Sequence, residues 1–236
     1  MKTSLRRSED RGAADFGWLK SAHTFSFGRY FDSRHMGFGV LRVINEDRVE
    51  PGKGFSAHGH SDMEILSYVI EGELEHKDDM GNGSIIRPGD MQRMSAGTGV
   101  THSEYNASKT DPVHFLQIWV IPEEAGIAPG YEQRHFPLQD REGQLQLLAS
   151  REGRLGSVSL AQDVNIYSTL LDTDDAVTTP LRADRAAWIQ LVRGTLRVNG
   201  QALGAGDGLA LLDVNAIELK DANDAEVLIF DVPVGA

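Results

Sequence analysis

The chain contains no cysteine, which excludes disulfide staples and thiolate ligands and leaves only nitrogen and oxygen donors for any metal. Basic residues are in short supply: 23 Lys and Arg stand against 35 Asp and Glu, a formal net charge of -12. A surface for nucleic-acid phosphates or anionic membranes needs a cationic excess, so direct binding to either is not expected. No apolar run approaches the roughly 20 residues that span a bilayer. Lys2, Arg6 and Arg7 lie near the N-terminus, but Ser8 to Asp15 is polar and acidic where a signal peptide is apolar, so a cytoplasmic location is expected. Helical periodicity is scarce, and none of the eight histidines lies beyond His135. Any imidazole chemistry therefore belongs to the front half.

What is present is β-strand punctuation. At 236 residues and 40% hydrophobic content, the chain can bury one large core or two smaller ones. Short apolar or alternating runs recur between Gly, Pro, Asn and Asp, as in an all-β sandwich or barrel. They are 39–44, 65–70, 113–121, 188–192, 209–212 and 227–232. Residues Asp78 to Gly83 read as a hairpin connection, and Asn199-Gly200 is a strong two-residue hairpin turn. The order strand, Gly72, hairpin, Pro88-Gly89-Asp90 recurs as strand, Gly194, hairpin, Ala205-Gly206-Asp207. The halves thus read as copies of one unit, with 130–156 as the connection and the boundary near Phe136 to Asp140.

The most informative feature is His58-Gly59-His60, followed by His102-Ser103-Glu104. Residues i and i+2 of a strand point to one face, about 6.5 Å apart at Cα. Two such strands lying together bring three imidazoles and a carboxylate to one cation and leave positions open for water, substrate or O2. In the second half, the same count from Gly194 lands on Pro180 and Arg182, and the counterparts of His102 and Glu104 fall near Leu219 and Asp221. That copy has lost the ligands.

Other residues read more plainly. His23, His76, His114 and His135 lack a partner at strand spacing and are taken as structural or surface residues, although His114 could face the barrel interior. Glu64 is either structural or a support for a ligand imidazole. Met63, Met91 and Met94 are expected to fill the barrel or line a pocket, and Trp188 to sit in the core. The acidic runs Glu71 to Asp79 and Asp172 to Asp175 read as solvated loops, and Gly97-x-Gly99 as a turn before His102 rather than a phosphate cradle.

Gly52, five residues, His58-x-His60, then Glu64 and Gly72 resemble the first cupin motif. Gly99, two residues, His102, three residues and Asn106 resemble the second. Glu64 stands one place early for the usual spacer, and Gly97 replaces a customary Pro; both departures resemble the pirin branch of the cupins. So do the segments 18–28, 37–47 and 94–104, while Asp62-Met63-Glu64-Ile65 and 117–122 look most like bacterial pirin-like quercetinases. The resemblance implies an all-β bicupin of two stacked, jelly-roll-like barrels. Residues 1–138 would be the N-terminal metal-binding cupin domain and 139–236 a C-terminal cupin domain lacking metal ligands.

It also implies one divalent metal on His58, His60, His102 and Glu104, with Fe(II) expected and Zn, Ni, Mn, Co or Cu as alternatives. The implied activity is a quercetin 2,3-dioxygenase type of ring cleavage: O2 opens the central ring of a flavonol with release of CO, Glu104 acting as general base. The partners would be a polyphenol and O2, and a monomer is expected. A different class stays open, a metal-containing regulatory module that binds another protein without significant turnover.

Overall fold

The structure, a computed structural model, describes residues 2–235. The front half carries β1 (Lys2–Arg6), β2 (Gly12–Asp15), β3 (Leu19–His23), β4 (Leu41–Val49), β5 (Gly54–His60), β6 (Glu64–Glu71), β7 (Leu74–Asp78), β8 (Gly83–Ile86), β9 (Asp90–Ser95), β10 (Val100–Asn106), β11 (Val113–Val120) and β12 (Gly130–His135). The rear half carries β13 (Gln146–Arg151), β14 (Val158–Leu160), β15 (Asn165–Leu171), β16 (Val177–Pro180), β17 (Arg185–Val198), β18 (Gln201–Gly204), β19 (Gly208–Leu212) and β20 (Ala216–Pro233). Among the described residues the only helices are three short 3-10 turns. The expected all-β bicupin fold is what the chain adopts.

A seven-stranded sheet in the order β12-β9-β6-β11-β4-β3-β2 is closed over by a four-stranded sheet, β5-β10-β7-β8, to make the first barrel. A nine-stranded sheet makes the second, with β16 and β18 folding back onto β20 and β17. Shifts of register along the β17–β20 pair bend these two long strands around the barrel, as bulges do. The first strand crosses over, since Lys2–Arg6 pairs with Gly208–Leu212 at the edge of the rear sheet.

The seven-stranded sheet is covered on both faces, which explains why β6, β9 and β11 are buried at almost every position instead of alternating. One set of side chains (Leu66, Tyr68, Leu116, Ile118) packs with Ile166, Trp188 and Phe230 of the rear half in one apolar cluster. The alternate set (Ser67, Val69, Phe115, Gln117) points into the first barrel. Trp188 belongs to this shared core, against Phe25 and Phe38. Glu64 is fully buried and accepts a hydrogen bond from the Ala161 backbone N–H at 3.1 Å, so it ties the two halves together.

Two sequence expectations need correcting. The stretch 130–156 is not a bare connection: it contains β12, paired with β9, and β13, paired with β15. Strand β12 is polar and lies at the sheet edge, while β13 buries only the short run Leu147 to Ser150 between Gln146 and Arg151, so the composition of the stretch resembles a loop. Nor is Glu71 to Asp79 simply solvated loop charge, because β7 passes through it and buries His76 completely. The Asn199-Gly200 turn forms as expected, both residues at positive φ. The turn before His102 also forms, with the Gly99 N–H donating to Ala96 O at 2.9 Å. A Cβ on Gly97 would lie 2.1 Å from Ile127 O, so only glycine fits there.

Candidate metal centre

The site is built by the register of β10 against its two neighbours. His102 stands opposite His58 of β5, and Glu104 stands opposite Phe55, with a bulge between the two pairs. On the other side β7 places Asp78 beside His102 and His76 beside Glu104. In β10 burial alternates, so His102, Glu104 and Asn106 face inward while Thr101, Ser103 and Tyr105 face outward.

Three imidazoles meet. Ring centroids are 4.8 Å apart for His58 and His60, 4.5 Å for His58 and His102, and 5.0 Å for His60 and His102. Their donor nitrogens lie within 4.8 Å of one another. A second group of donor atoms within the same distance is His76, His102 and Glu104. The three anticipated histidines form one group, whereas Glu104 is grouped with His76 and His102 and not with His58 or His60; His102 is the residue common to both. Among the described residues, these two groups of three metal-type donors share one end of the first barrel.

The electrostatics suit a cation. Burial, then the neighbouring His58, pushes His60 down to about 4, and burial with His58, His60 and His76 pushes His102 down to about 3. The rings are therefore neutral, with lone pairs available, at physiological pH. His58 donates Nδ1–H to Ser56 O at 2.7 Å, which directs its Nε2 lone pair to the cluster. Both ring nitrogens of His102 are buried without a hydrogen-bond partner, and a bound ion would satisfy the one that carries the lone pair. Burial pushes the Glu104 carboxyl up to about 7, opposed by a hydrogen bond from Ser67 Oγ at 3.1 Å and reinforced by the Asp47 charge. Three imidazoles and one adaptable carboxylate are a sound donor set for a divalent first-row metal.

A cavity of 230 Å³ lies at the cluster, lined by Phe27, Asn45, Asp47, Phe55, His58, His60, Glu104, Gln117 and Trp119. Its walls are the inner faces of β4 and β11 and the strand β5. A larger cavity of 720 Å³ adjoins it under the N-terminal segment and shares Phe27, Asn45, Asp47 and Phe55 with it.

Several site residues were not expected from the sequence. A polar row crosses the inner face of the seven-stranded sheet, with His23 opposite Asn45, Asn45 opposite Gln117, and Gln117 opposite Ser67. The His23 ring nitrogen and Asn45 Oδ1 are 2.9 Å apart. His76 is held at 3.1 Å from Asp78 through Nε2, leaving its Nδ1 buried without a partner. The available signal was polarity at inward positions of otherwise apolar strands, as in Val43-Ile44-Asn45-Glu46-Asp47. Of the remaining histidines, His114 faces the cleft between the barrels and pairs with Glu46 at 2.9 Å, and His135 pairs with Asp90 at 2.7 Å. Met91 and Met94 are buried core residues.

Comparison with known proteins agrees with this geometry. The family model described as Pirin matches residues 5–120, and one described as the quercetinase C-terminal cupin domain matches residues 147–232. The chain is 48% identical over 229 residues, 97% of its length and 98% of the relative's, to a protein of Escherichia coli K12 named quercetin 2,3-dioxygenase. It is 38% identical over 221 residues to a Caulobacter vibrioides protein named pirin-like protein, covering 93% of this chain and 95% of that one. Among solved structures, the bacterial pirin YhhW of Escherichia coli in complex with nickel(II) superposes with a TM-score of 0.93 at 47% identity, covering 98% of this chain and 99% of that one. With two-domain coverage, near-complete alignment and a shared fold, the chain belongs to the pirin family of two-barrel cupin proteins.

Proposed function

We propose that this protein is a metal-dependent dioxygenase that opens the central ring of a flavonol such as quercetin, consuming one O2 and releasing one CO to leave a phenolic ester. The observation that carries the reading is the cluster of three imidazoles opening onto an aromatic-walled cavity. The relatives named quercetin 2,3-dioxygenase support it.

His58, His60, His102 and Glu104 would hold one divalent ion, with Fe(II) first in expectation. When bound, such an ion supplies Lewis-acid stabilisation of a deprotonated hydroxyl and a place for O2 beside it. The protein's own groups do the rest. Glu104, raised toward 7 and backed by Ser67, takes the proton of the substrate hydroxyl onto a carboxylate oxygen. Phe27, Phe55 and Trp119 give flat apolar walls to an aromatic ligand. The Trp119 indole N–H is buried with no partner and is available to a substrate oxygen. At 230 Å³ the inner cavity is below the roughly 300–1,000 Å³ of typical ligand sites, so a three-ring ligand must extend into the adjoining 720 Å³ space.

The test is an anaerobic-to-aerobic assay of separately metal-loaded protein with quercetin, following loss of flavonol absorbance and CO release. Turnover is expected with at least one of Fe, Mn, Ni, Co and Cu. No turnover with any of them would return the protein to the regulatory binding-module class.

A further inference from the structure

We propose that Asp47 is a specificity-determining residue that accepts a hydrogen bond from a hydroxyl on the substrate's pendant ring, lodged in the larger cavity away from the imidazoles. This inference rests on the flavonol reading above and adds which polyphenols the site selects: those hydroxylated on the ring remote from the histidines.

Asp47 lies on the inner face of β4, two residues from Asn45, and lines both cavities at their junction. It is 4% exposed, and its Oδ1 is buried with no hydrogen-bond partner. A buried carboxylate oxygen left unpaired carries a desolvation cost with nothing to offset it, which a hydrogen-bond donor on a ligand would relieve. Its neighbours on the face are already engaged. Asn45 is taken by His23, and Ser67 and Gln117 form a hydrogen-bonded group with Glu104. Ser21 hydrogen-bonds the Asp47 carboxyl, and Oδ1 is the oxygen left to receive a ligand.

The surroundings suit an aromatic ring. Phe16, Phe27, Tyr30 and Phe55 wall the larger cavity, giving apolar faces on which a planar ring can stack. A flavonol whose central ring lies at the histidines must send its pendant ring either into solvent or into this space. Burial pushes Asp47 up to about 7, but an oxygen of either protonation state accepts an O–H donor.

The experiment measures anaerobic binding to the metal-loaded protein, by calorimetry, of quercetin and of the flavonol whose pendant ring bears no hydroxyl. Wild type is expected to prefer quercetin by about tenfold or more, the worth of one hydrogen bond to a charged or strongly polar acceptor. Asp47→Leu is expected to bring the two ligands within about twofold, and the near-isosteric Asp47→Asn to fall between. Retention of the full preference in both variants overturns the assignment, as does equal binding of both ligands by wild type, which leaves the flavonol reading standing. A uniform loss of affinity for both ligands in the variants also overturns it, since that is the mark of a carboxylate that only holds a water or the wall. Binding of neither ligand by wild type defeats the flavonol reading together with this one.

Discussion

The two barrels are built on the same plan and filled in opposite ways. In the first, β5 and β10 pair so that His58 faces His102; in the second, β16 and β20 pair, but the Pro180 and Leu219 picked out by the count from Gly194 do not face each other, since Pro180 stands opposite Ala216 and Leu219 opposite Val177. Leu219 is fully buried among Leu171, Leu191, Leu196, Ile217 and Val227. Of the other two counted positions, Arg182 is exposed and pairs with Asp184, and Asp221 is exposed at positive φ within β20, 3.6 Å from Arg197. The first barrel instead carries a polar row and a cavity on its inner face, and its own apolar cluster is smaller. A barrel interior can be packed for stability or left partly open and polar for chemistry, and this chain does one in each half.

The largest effect that sharpens the contrast should come from Glu104→Gln. It keeps size and a metal-capable oxygen but removes the base, so turnover should fall by about 10²–10⁴-fold at full metal occupancy; unchanged turnover would remove Glu104 from proton transfer. The reverse experiment places a ligand in the closed barrel. Leu219→His should lower unfolding free energy by about 2–4 kcal/mol through lost packing and a buried imidazole without partners, and should not raise metal content. A second equivalent of metal in that variant would break the comparison, because it would mean the rear barrel retains a latent site.

The smallest effect is a pH dependence peculiar to the open barrel. Asp47 and Glu104 are both pushed up to about 7 by burial, from ordinary values near 4. Between about pH 4 and 7 the folded metal-free protein therefore holds protons that the unfolded chain has released. Their contribution to stability is present at the acid end of that window and is lost as pH rises through 7. Asp47→Asn should remove part of this slope, gaining about 1–3 kcal/mol relative to wild type between pH 5 and 8 in denaturant unfolding. Metal loading should act the other way, since protons compete with the ion for the same donors. An unchanged slope in Asp47→Asn would place the titration elsewhere.

Much of this plan was legible in the sequence because strand periodicity is a local rule. The spacing of His58 and His60, and of His102 and Glu104, names one face of each strand before any pairing is known. The Asn199-Gly200 turn and the repeated Gly-Asp corners mark the two copies in the same way. What stayed hidden depends on register between distant strands. His76 sits beside Glu104 only because β7 pairs with β10, and nothing in its own neighbourhood signals that. Asn45, Asp47, Ser67 and Gln117 reach the site only through the pairing of β4, β11 and β6, which no local pattern announces. Strand β12 was lost for a related reason, since its partly exposed sides carry little apolar alternation, and β13 because its short buried run is flanked by Gln, Glu, Gly and Arg. The crossing of Lys2–Arg6 to the rear sheet is a long-range pairing that a local reading does not reach.

The central claim is that one cation sits where His58, His60, His102 and Glu104 converge. It is tested most directly by metal content per chain after loading and dialysis, measured for wild type, His102→Ala and His114→Ala. The account predicts one equivalent in wild type and in His114→Ala, and close to none in His102→Ala, because His102 belongs to both groups of donors. A full equivalent retained by His102→Ala, or two equivalents in wild type, would contradict it.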